Sequence, residues 1–180
     1  MRMFVAVDID DDIKSALPSV LPNVKQTPKD SVHLTLAFLG DVPSPQNDRI
    51  IAAMREPIES VRPFRLAFRG LGIFPPRGAP RVLWLGVSEG ERDVIALQRL
   101  VARRLETLGV ALEDRAFHPH LTIGRWKQSR PSDRPLLPAD VPATPGMTVD
   151  HVTLYESRLS SEGPAHFERA RARLGTLTPS

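Results

Sequence analysis

The chain has no cysteine, which excludes thiol catalysis, disulfides and thiolate metal sites together. It also lacks any run approaching the ~18 apolar residues that a membrane span requires. The opening Met-Arg-Met-Phe-Val-Ala-Val-Asp offers only a short apolar stretch before acidic residues, so no secretion signal is read there. A cytoplasmic protein without membrane contact is expected. Lysine is scarce: of the 24 basic residues, 20 are arginine, the side chain suited to gripping phosphate with a planar fork. That bias fits an RNA or nucleotide ligand, and it fits an arginine-rich genome equally well. The excess of charge is small, net +3 with a sequence pI of 9.8.

What is plentiful is proline, 18 residues in 180, against about 5% in ordinary chains. The prolines gather at 22–28, 43–45, 75–80 and 131–145, which predicts stiff connections between short elements. Hydrophobic residues at 41% and charged residues at 25% are usual for a globular protein. The length accommodates one domain, 1–180, built of two closely packed lobes.

Read in order, Met3–Ile9 predicts a strand and Asp10–Asp12 the acidic start of a short helix to Leu17. Val32–Leu39 is the second strand. Ser44 followed by Pro45 predicts a capped helix with an apolar stripe at Ile50, Ile51, Met54 and Ile58, ending near Pro57. Phe64–Phe68 is a strand before a Gly70–Gly78 loop. Arg81–Val87 is a strongly apolar strand, in which Trp84 is expected to pack in the core. Ser88–Glu91 has the spacing of a capping box. The helix after it places Val94, Leu97, Leu100, Val101, Leu105 and Leu108 on one face and stops at Gly109, with Arg92, Arg99 and Arg103 toward solvent. Phe117–Trp126 is a strand, 127–146 an irregular proline-rich loop, and Met147–Ser157 one further strand. Residues 167–174 read as a short helix or frayed tail.

The informative feature is a repeat. His33-Leu34-Thr35-Leu36 returns 87 residues later as His120-Leu121-Thr122-Ile123. On a strand, histidine and threonine then share one face while the aliphatic residues take the other. The surrounding order of strand, helix, His-x-Thr strand and later strand also recurs, at Met3, Asp11, His33 and Phe64, then at Arg81, Glu91, His120 and Thr148. Duplicated lobes about a pseudo-two-fold axis would bring His33 and His120 to one groove. An α+β fold follows, two lobes with mainly antiparallel sheets around a V-shaped cleft, strand exchange between lobes being compatible with it and no obligate oligomer or protein partner required.

Two opposed imidazoles suit transfer at a centre whose nucleophile and leaving group lie on opposite sides. With a pKa around 6.5, one ring takes a proton from water while the other delivers one to the departing oxygen. A phosphodiester has that geometry, with the threonine hydroxyls donating to its non-bridging oxygens. Which histidine is the base stays open at this level. Continuing the alternation reaches Ala37 and Gly124, small residues above a bound phosphate, and gives Arg125 the wrong parity unless a bulge or strand end redirects it. A third His-x-Thr, His151-Val152-Thr153, reads as a strand-face feature; His118 either orients His120 or faces solvent; His166 shows no partner. A metal site of His118, His120, His151 and Asp150 lacks a recognised ligand spacing.

These motifs resemble the 2H phosphoesterases, and within them the bacterial and archaeal RNA 2',3'-cyclic phosphodiesterases, also called 2'-5' RNA ligase-like proteins. The resemblance spans nearly the whole chain: Met3–Val7, Val32–Gly40, Gly72-Ile73-Phe74-Pro75, Pro80–Gly86, His120–Arg125 and Glu156-Ser157-Arg158-Leu159 fall in the family's order. It implies hydrolysis of RNA 2',3'-cyclic phosphate ends to 2'-phosphomonoesters, with His120 as general base and His33 as general acid. It further implies that Thr35, Thr122 and Arg125 hold the phosphate, that Phe74 and Arg81 meet the nucleotide, and that neither cofactor nor metal takes part. Small nucleoside or ADP-ribose cyclic phosphates, ATP-independent 2'-5' ligation and noncatalytic binding of RNA ends are the alternatives.

Overall fold

Short alternating apolar segments pair into two antiparallel sheets in the computed structural model, which describes residues 1–176. The elements are β1 (Arg2–Asp8), α1 (Asp11–Ser15), β2 (Lys25–Gln26), β3 (His33–Asp41), α2 (Ser44–Ala53), β4 (Phe64–Phe74), β5 (Val82–Glu89), α3 (Glu91–Glu106), β6 (His120–Arg125), β7 (Met147–Val149), β8 (His151–Ser160) and β9 (Gly163–Arg173). The first sheet has the order β3-β1-β8-β9 and the second β2-β6-β5-β4-β7. The trio β3-β1-β8 therefore corresponds to β6-β5-β4, and the duplicated order is spatial as well as sequential. Each half lends its later strand to the other sheet: β4 stands beside β5, and β8 beside β1. The two motif strands adjoin, with Cα atoms of β3 and β6 within 8 Å.

Several expectations need correction, each for a local reason. Glycine at 70 does not end β4; it occupies φ +87° inside a bulge between Phe68 and Leu71, and pairing with β5 resumes through Phe74. Ser44 does not cap α2, because the helix already includes it and Pro43 takes the cap position. Ser88 and Glu89 continue β5 instead of forming a capping box, and Gly90 starts α3 at φ +85°, where a Cβ would lie 2.1 Å from the Arg65 carbonyl oxygen. The expected strand over 147–157 breaks at Asp150: β7 pairs with β4 in one sheet and β8 with β1 in the other. Residues 163–173 are neither helix nor tail but strand β9, paired along β8.

The core lies behind the histidine faces. Met3, Val5, Val7 and Leu34 of the first sheet, and Leu83, Leu85 and Leu121 of the second, join one apolar cluster with Val94, Leu97, Val101 and Leu105 of α3. Arg104, on the flank of α3, donates to the carbonyls of Ala53 (3.1 Å), Glu56 (2.6 Å) and Pro57 (2.9 Å). It thereby ties together the turn that follows α2, adding a second donor to the Ala53 carbonyl, which already accepts the Glu56 amide at 3.3 Å. Arg92, Arg99 and Arg103 are exposed, as their helical positions predict.

Gly124 shows how tightly the motif strand is covered: a methyl there would meet Val24 Cγ1 at 2.4 Å and the Lys25 carbonyl oxygen at 3.3 Å. Gly124→Ala is expected to cost about 1–3 kcal/mol by forcing 20–25 off β6. Urea denaturation measures it, and an unchanged midpoint would show that this segment yields freely.

Candidate active site

Directly paired residues of an antiparallel ladder share a face, so register assigns the site. On β3, His33 pairs with Asp8 and Thr35 with Ala6; Leu36 is then an extra residue, after which Ala37 pairs with Val5 and Phe38 with Phe4. On β6, His120 pairs with Gly86 and Thr122 with Trp84; Ile123 is extra, after which Gly124 pairs with Leu83 and Arg125 with Val82. Both motif strands carry a bulge three residues beyond the histidine. It turns Ala37 and Gly124 toward the core and brings Phe38 and Arg125 onto the histidine face. The expectation of small residues above the phosphate is thus overturned, and the awkward parity of Arg125 is resolved. Phe38 is 58% exposed on that face.

His33 lies on an aromatic bed. Its ring stacks on Phe4 at 4.7 Å between centroids and meets the edge of His166 at 5.3 Å. Burial, then the neighbouring charge of His166, push its pKa down to about 4, against a backbone hydrogen bond to Ser31 and the charge of Asp8. Beside it, Asp8 accepts hydrogen bonds from Tyr155 Oη (2.5 Å), Thr153 Oγ1 (2.7 Å) and His151 Nε2 (2.9 Å), while His151 Nδ1 meets Asp150 Oδ1 at 2.5 Å. A ring whose two nitrogens both face carboxylates must carry both protons. Accordingly the bond to Asp8, opposed by burial and aided by Asp150, raises the pKa of His151. Burial alone would raise Asp8, yet the bonds from His151, Tyr155 and Thr153 hold it at about 2. The third His-x-Thr is therefore the donor set of a carboxylate next to His33. The strand pairing that creates it has no spacing signature in the sequence.

His120 is arranged similarly but in different company. Its Nδ1 lies 2.6 Å from the His118 carbonyl oxygen, which only accepts, so this nitrogen carries the proton and Nε2 keeps a lone pair. In both motifs the imidazole is thus bonded to the backbone two residues upstream. Burial lowers the pKa of His120; the bond to His118 opposes this, and the charges of His118 and Arg125 add to the lowering. Phe74 stands nearly perpendicular to it at 5.1 Å, while His118 at 6.0 Å and Trp84 at 6.3 Å are tilted against it. Trp84 is consequently a histidine-face residue rather than a core residue, lying over Gly72, where a Cβ would come 1.9 Å from its ring.

Thr35 and Thr122 are half-buried on the histidine faces, and Arg125 is exposed. Phe74 ends β4 and Arg81, exposed, closes the connection from it to β5, the Arg81 amide bonding the Phe74 carbonyl at 2.9 Å. The 127–146 loop clamps this connection: Arg134 donates to Pro75 O (2.6 Å) and Gly78 O (3.0 Å), and Ser129 to Pro80 O. Among the described residues no three His, Asp or Glu side chains converge as a metal site, so His118 and His120, though neighbours, are not joined by His151 and Asp150 in a ligand set. No helix among them is long and apolar enough to cross a membrane. His166, which showed no partner in the sequence, and Asp8 and Tyr155, which were not singled out, are the site residues that sequence reasoning missed.

Two sheets meeting along equivalent His-x-Thr strands, each with the same bulge, define the architecture of a 2H phosphoesterase. A model of the 2'-5' RNA ligase superfamily matches residues 11–161. An RNA 2',3'-cyclic phosphodiesterase of Archaeoglobus fulgidus is 35% identical over 173 residues, covering 92% of this chain and 96% of its own. One of Methanothermobacter thermautotrophicus is 33% identical over 187 residues, covering 97% and 99%. A crystal structure of a Thermus thermophilus protein, 27% identical, superposes with a TM-score of 0.77 over 96% of this chain and 97% of that one. The chain belongs to the RNA 2',3'-cyclic phosphodiesterase family of the 2H phosphoesterases.

The depressed His33 has a consequence for stability. A ring with a folded pKa near 4 and an unfolded value near 6.5 stabilises the fold in its neutral form, fully above pH 6.5 and progressively less as pH falls toward 4. Asp8, held at about 2, contributes above its unfolded value of 3.8 and loses this only below it, while His151 stays charged throughout the 6.5–4 window. Urea unfolding at pH 7 and pH 4.5 is expected to show a loss for the wild type of which His33 supplies at most about 3 kcal/mol. His33→Gln should lose less over the same interval; an equal loss would remove His33 as the source.

Proposed function

We propose that the protein hydrolyses the 2',3'-cyclic phosphate of RNA ends to a 2'-phosphomonoester, with His120 as general base, His33 as general acid and no metal required. The observation that carries this reading is the repeated histidine, threonine and bulge on two adjoining strands. Water gives a proton to His120 Nε2 as its oxygen bonds to phosphorus. The bond from phosphorus to the 3' oxygen breaks on the opposite side, and that oxygen takes the proton of His33. The 2' ester bond is kept. The Nδ1–H to His118 carbonyl bond supports the basic role of His120, because it leaves Nε2 the only nitrogen able to accept. Thr35 and Thr122 donate to the non-bridging oxygens, and Arg125, brought to this face by the bulge, pairs with the same anion. Phe74 braces His120, and Arg81 stands at the edge of the cleft to meet the RNA.

Burial keeps both rings mostly neutral at pH 7 in the free protein. The proton on His33 is therefore stabilised by the substrate itself, whose phosphate adds negative charge to that of Asp8, already engaged by His151, Thr153 and Tyr155. The pair acts when it holds one proton, a state that fills as pH falls toward the lowered His120 value and empties again near 4. For a small cyclic nucleotide kcat/KM should accordingly peak on the acid side of 6.5, and a maximum above pH 7 would contradict this protonation scheme.

The direct test incubates the protein in EDTA with a short RNA ending in a 2',3'-cyclic phosphate and separates the two monophosphate products. The 2'-phosphate is expected, with His33→Ala and His120→Ala each lowering the rate about 10²–10⁴-fold. A 3'-phosphate would place the leaving oxygen wrongly, and binding without turnover would favour a noncatalytic RNA-end protein.

A further inference from the structure

The pseudo-two-fold relation treats the two histidines alike, and the surroundings do not. Beside His33 lies a cavity of about 420 Å³, walled by Lys14, His151, Tyr155, His166 and Arg171, within the rough 300–1,000 Å³ range of small-ligand sites. It runs from β3 across β1 and β8 to β9. Its floor is the network in which Asp8 takes three hydrogen bonds and His151 two, so those groups are already satisfied and rigidly held. Beyond that floor the cavity presents the charges of Lys14 and Asp30 and two ring surfaces: Tyr155, stacked on Phe4 at 5.4 Å, and the half-exposed His166, whose ring stands at 75° to Phe4 and 76° to His33. His120, by contrast, is surrounded by Phe74, Trp84 and His118. Another cavity, of about 440 Å³ between α2 and β9 around Asp48, Arg55 and Arg169, contains neither motif histidine.

We propose that the cavity beside His33 is the subsite for the terminal nucleoside and that His166 is the residue contacting its base. The inference rests on the proposed hydrolysis and deepens it. In an in-line displacement the ribose bearing the departing 3' oxygen lies on the side of the general acid and the entering water on the side of the base. A nucleoside-sized space next to one histidine therefore orients the cyclic phosphate between two otherwise equivalent rings. That space lies on the His33 side, and this gives a structural reason for His33 to serve as acid. Lys14 and Arg171, which also line the cavity, are the cations available to the phosphate that leads to the terminal nucleoside. Arg171 is shared with Glu168, which it binds at 2.8 Å, so the base contact rather than the charge is the discriminating feature.

The test compares adenosine 2',3'-cyclic phosphate with the base-free ribose 2',3'-cyclic phosphate. The wild type is expected to prefer the nucleoside by about tenfold or more in kcat/KM, the size of one stacked base. His166→Ala should bring the ratio close to one. Taking the ratio cancels any effect of the substitution on proton transfer, which both substrates share, so a purely electrostatic or structural role of His166 would leave it unchanged. An unchanged ratio in the variant, or a wild type indifferent to the base, overturns the subsite. If the wild type turns over neither compound, the short RNA ending in a 2',3'-cyclic phosphate decides whether hydrolysis itself is refuted, and the subsite is judged separately by calorimetry. Adenosine 2'-monophosphate should then bind more tightly than ribose 2-phosphate, and His166→Ala should abolish the difference; equal binding to the wild type overturns the inference.

Discussion

An irregularity shared by both motif strands organises this molecule, a surplus residue three positions beyond each histidine. A strand in perfect register would carry His33, Thr35 and Ala37 along one face, and His120, Thr122 and Gly124 along its counterpart. Leu36 and Ile123 break that alternation at the same place in both copies. The bulges bury two small residues, bring Phe38 and Arg125 beside the histidines, and give each motif a third side chain on the working face. Matching irregularity in two strands of different sheets is stronger support for duplication than the shared letters, because a bulge breaks ladder pairing and persists where geometry uses it.

Around this frame the two imidazoles are tuned by burial more than by partners. Neither motif histidine has a carboxylate in hydrogen bond with its ring; each is tied to a backbone oxygen two residues upstream. The nearby carboxylate, Asp8, is bound by His151, Thr153 and Tyr155. An unpaired cation at His33 is therefore costly in the empty site and becomes favourable when an anion lies against it. In the proposed reaction that arrangement would couple the protonation of His33 to phosphate binding. The long 127–146 loop contributes from outside, since Arg134 and Ser129 hold the turn beyond Phe74 by its carbonyls and thereby steady the ring that meets His120.

Legibility in the sequence followed the range of the interaction. The amphipathic helix α3, the apolar strand β5 and the paired motif strands were readable because their signals are periodic and local. Gly70 misled because glycine marks both loops and bulges, and the choice depends on which strand lies alongside; the Ser88–Glu91 spacing misled because strand pairing with β4 carries β5 through Glu89. Strand β9 escaped because its polar residues, Arg169, Arg171 and Arg173 among them, sit on a sheet edge, where only half of each alternation is buried. His166 and Asp8 escaped for a different reason: they meet His33 across β9, β8 and β1, over sequence separations that no motif records.

The amino-acid sequence by itself determined the duplicated pattern, the two histidines with their threonines, and the absence of thiol chemistry, since all of these reside in residue identity and short spacing. The tertiary structure decided which residues share the histidine faces, which half lends a strand to which sheet, and how the two rings differ. Those outcomes depend on register and on the neighbours that register brings, and a one-residue bulge reverses them without leaving any mark in composition or periodicity.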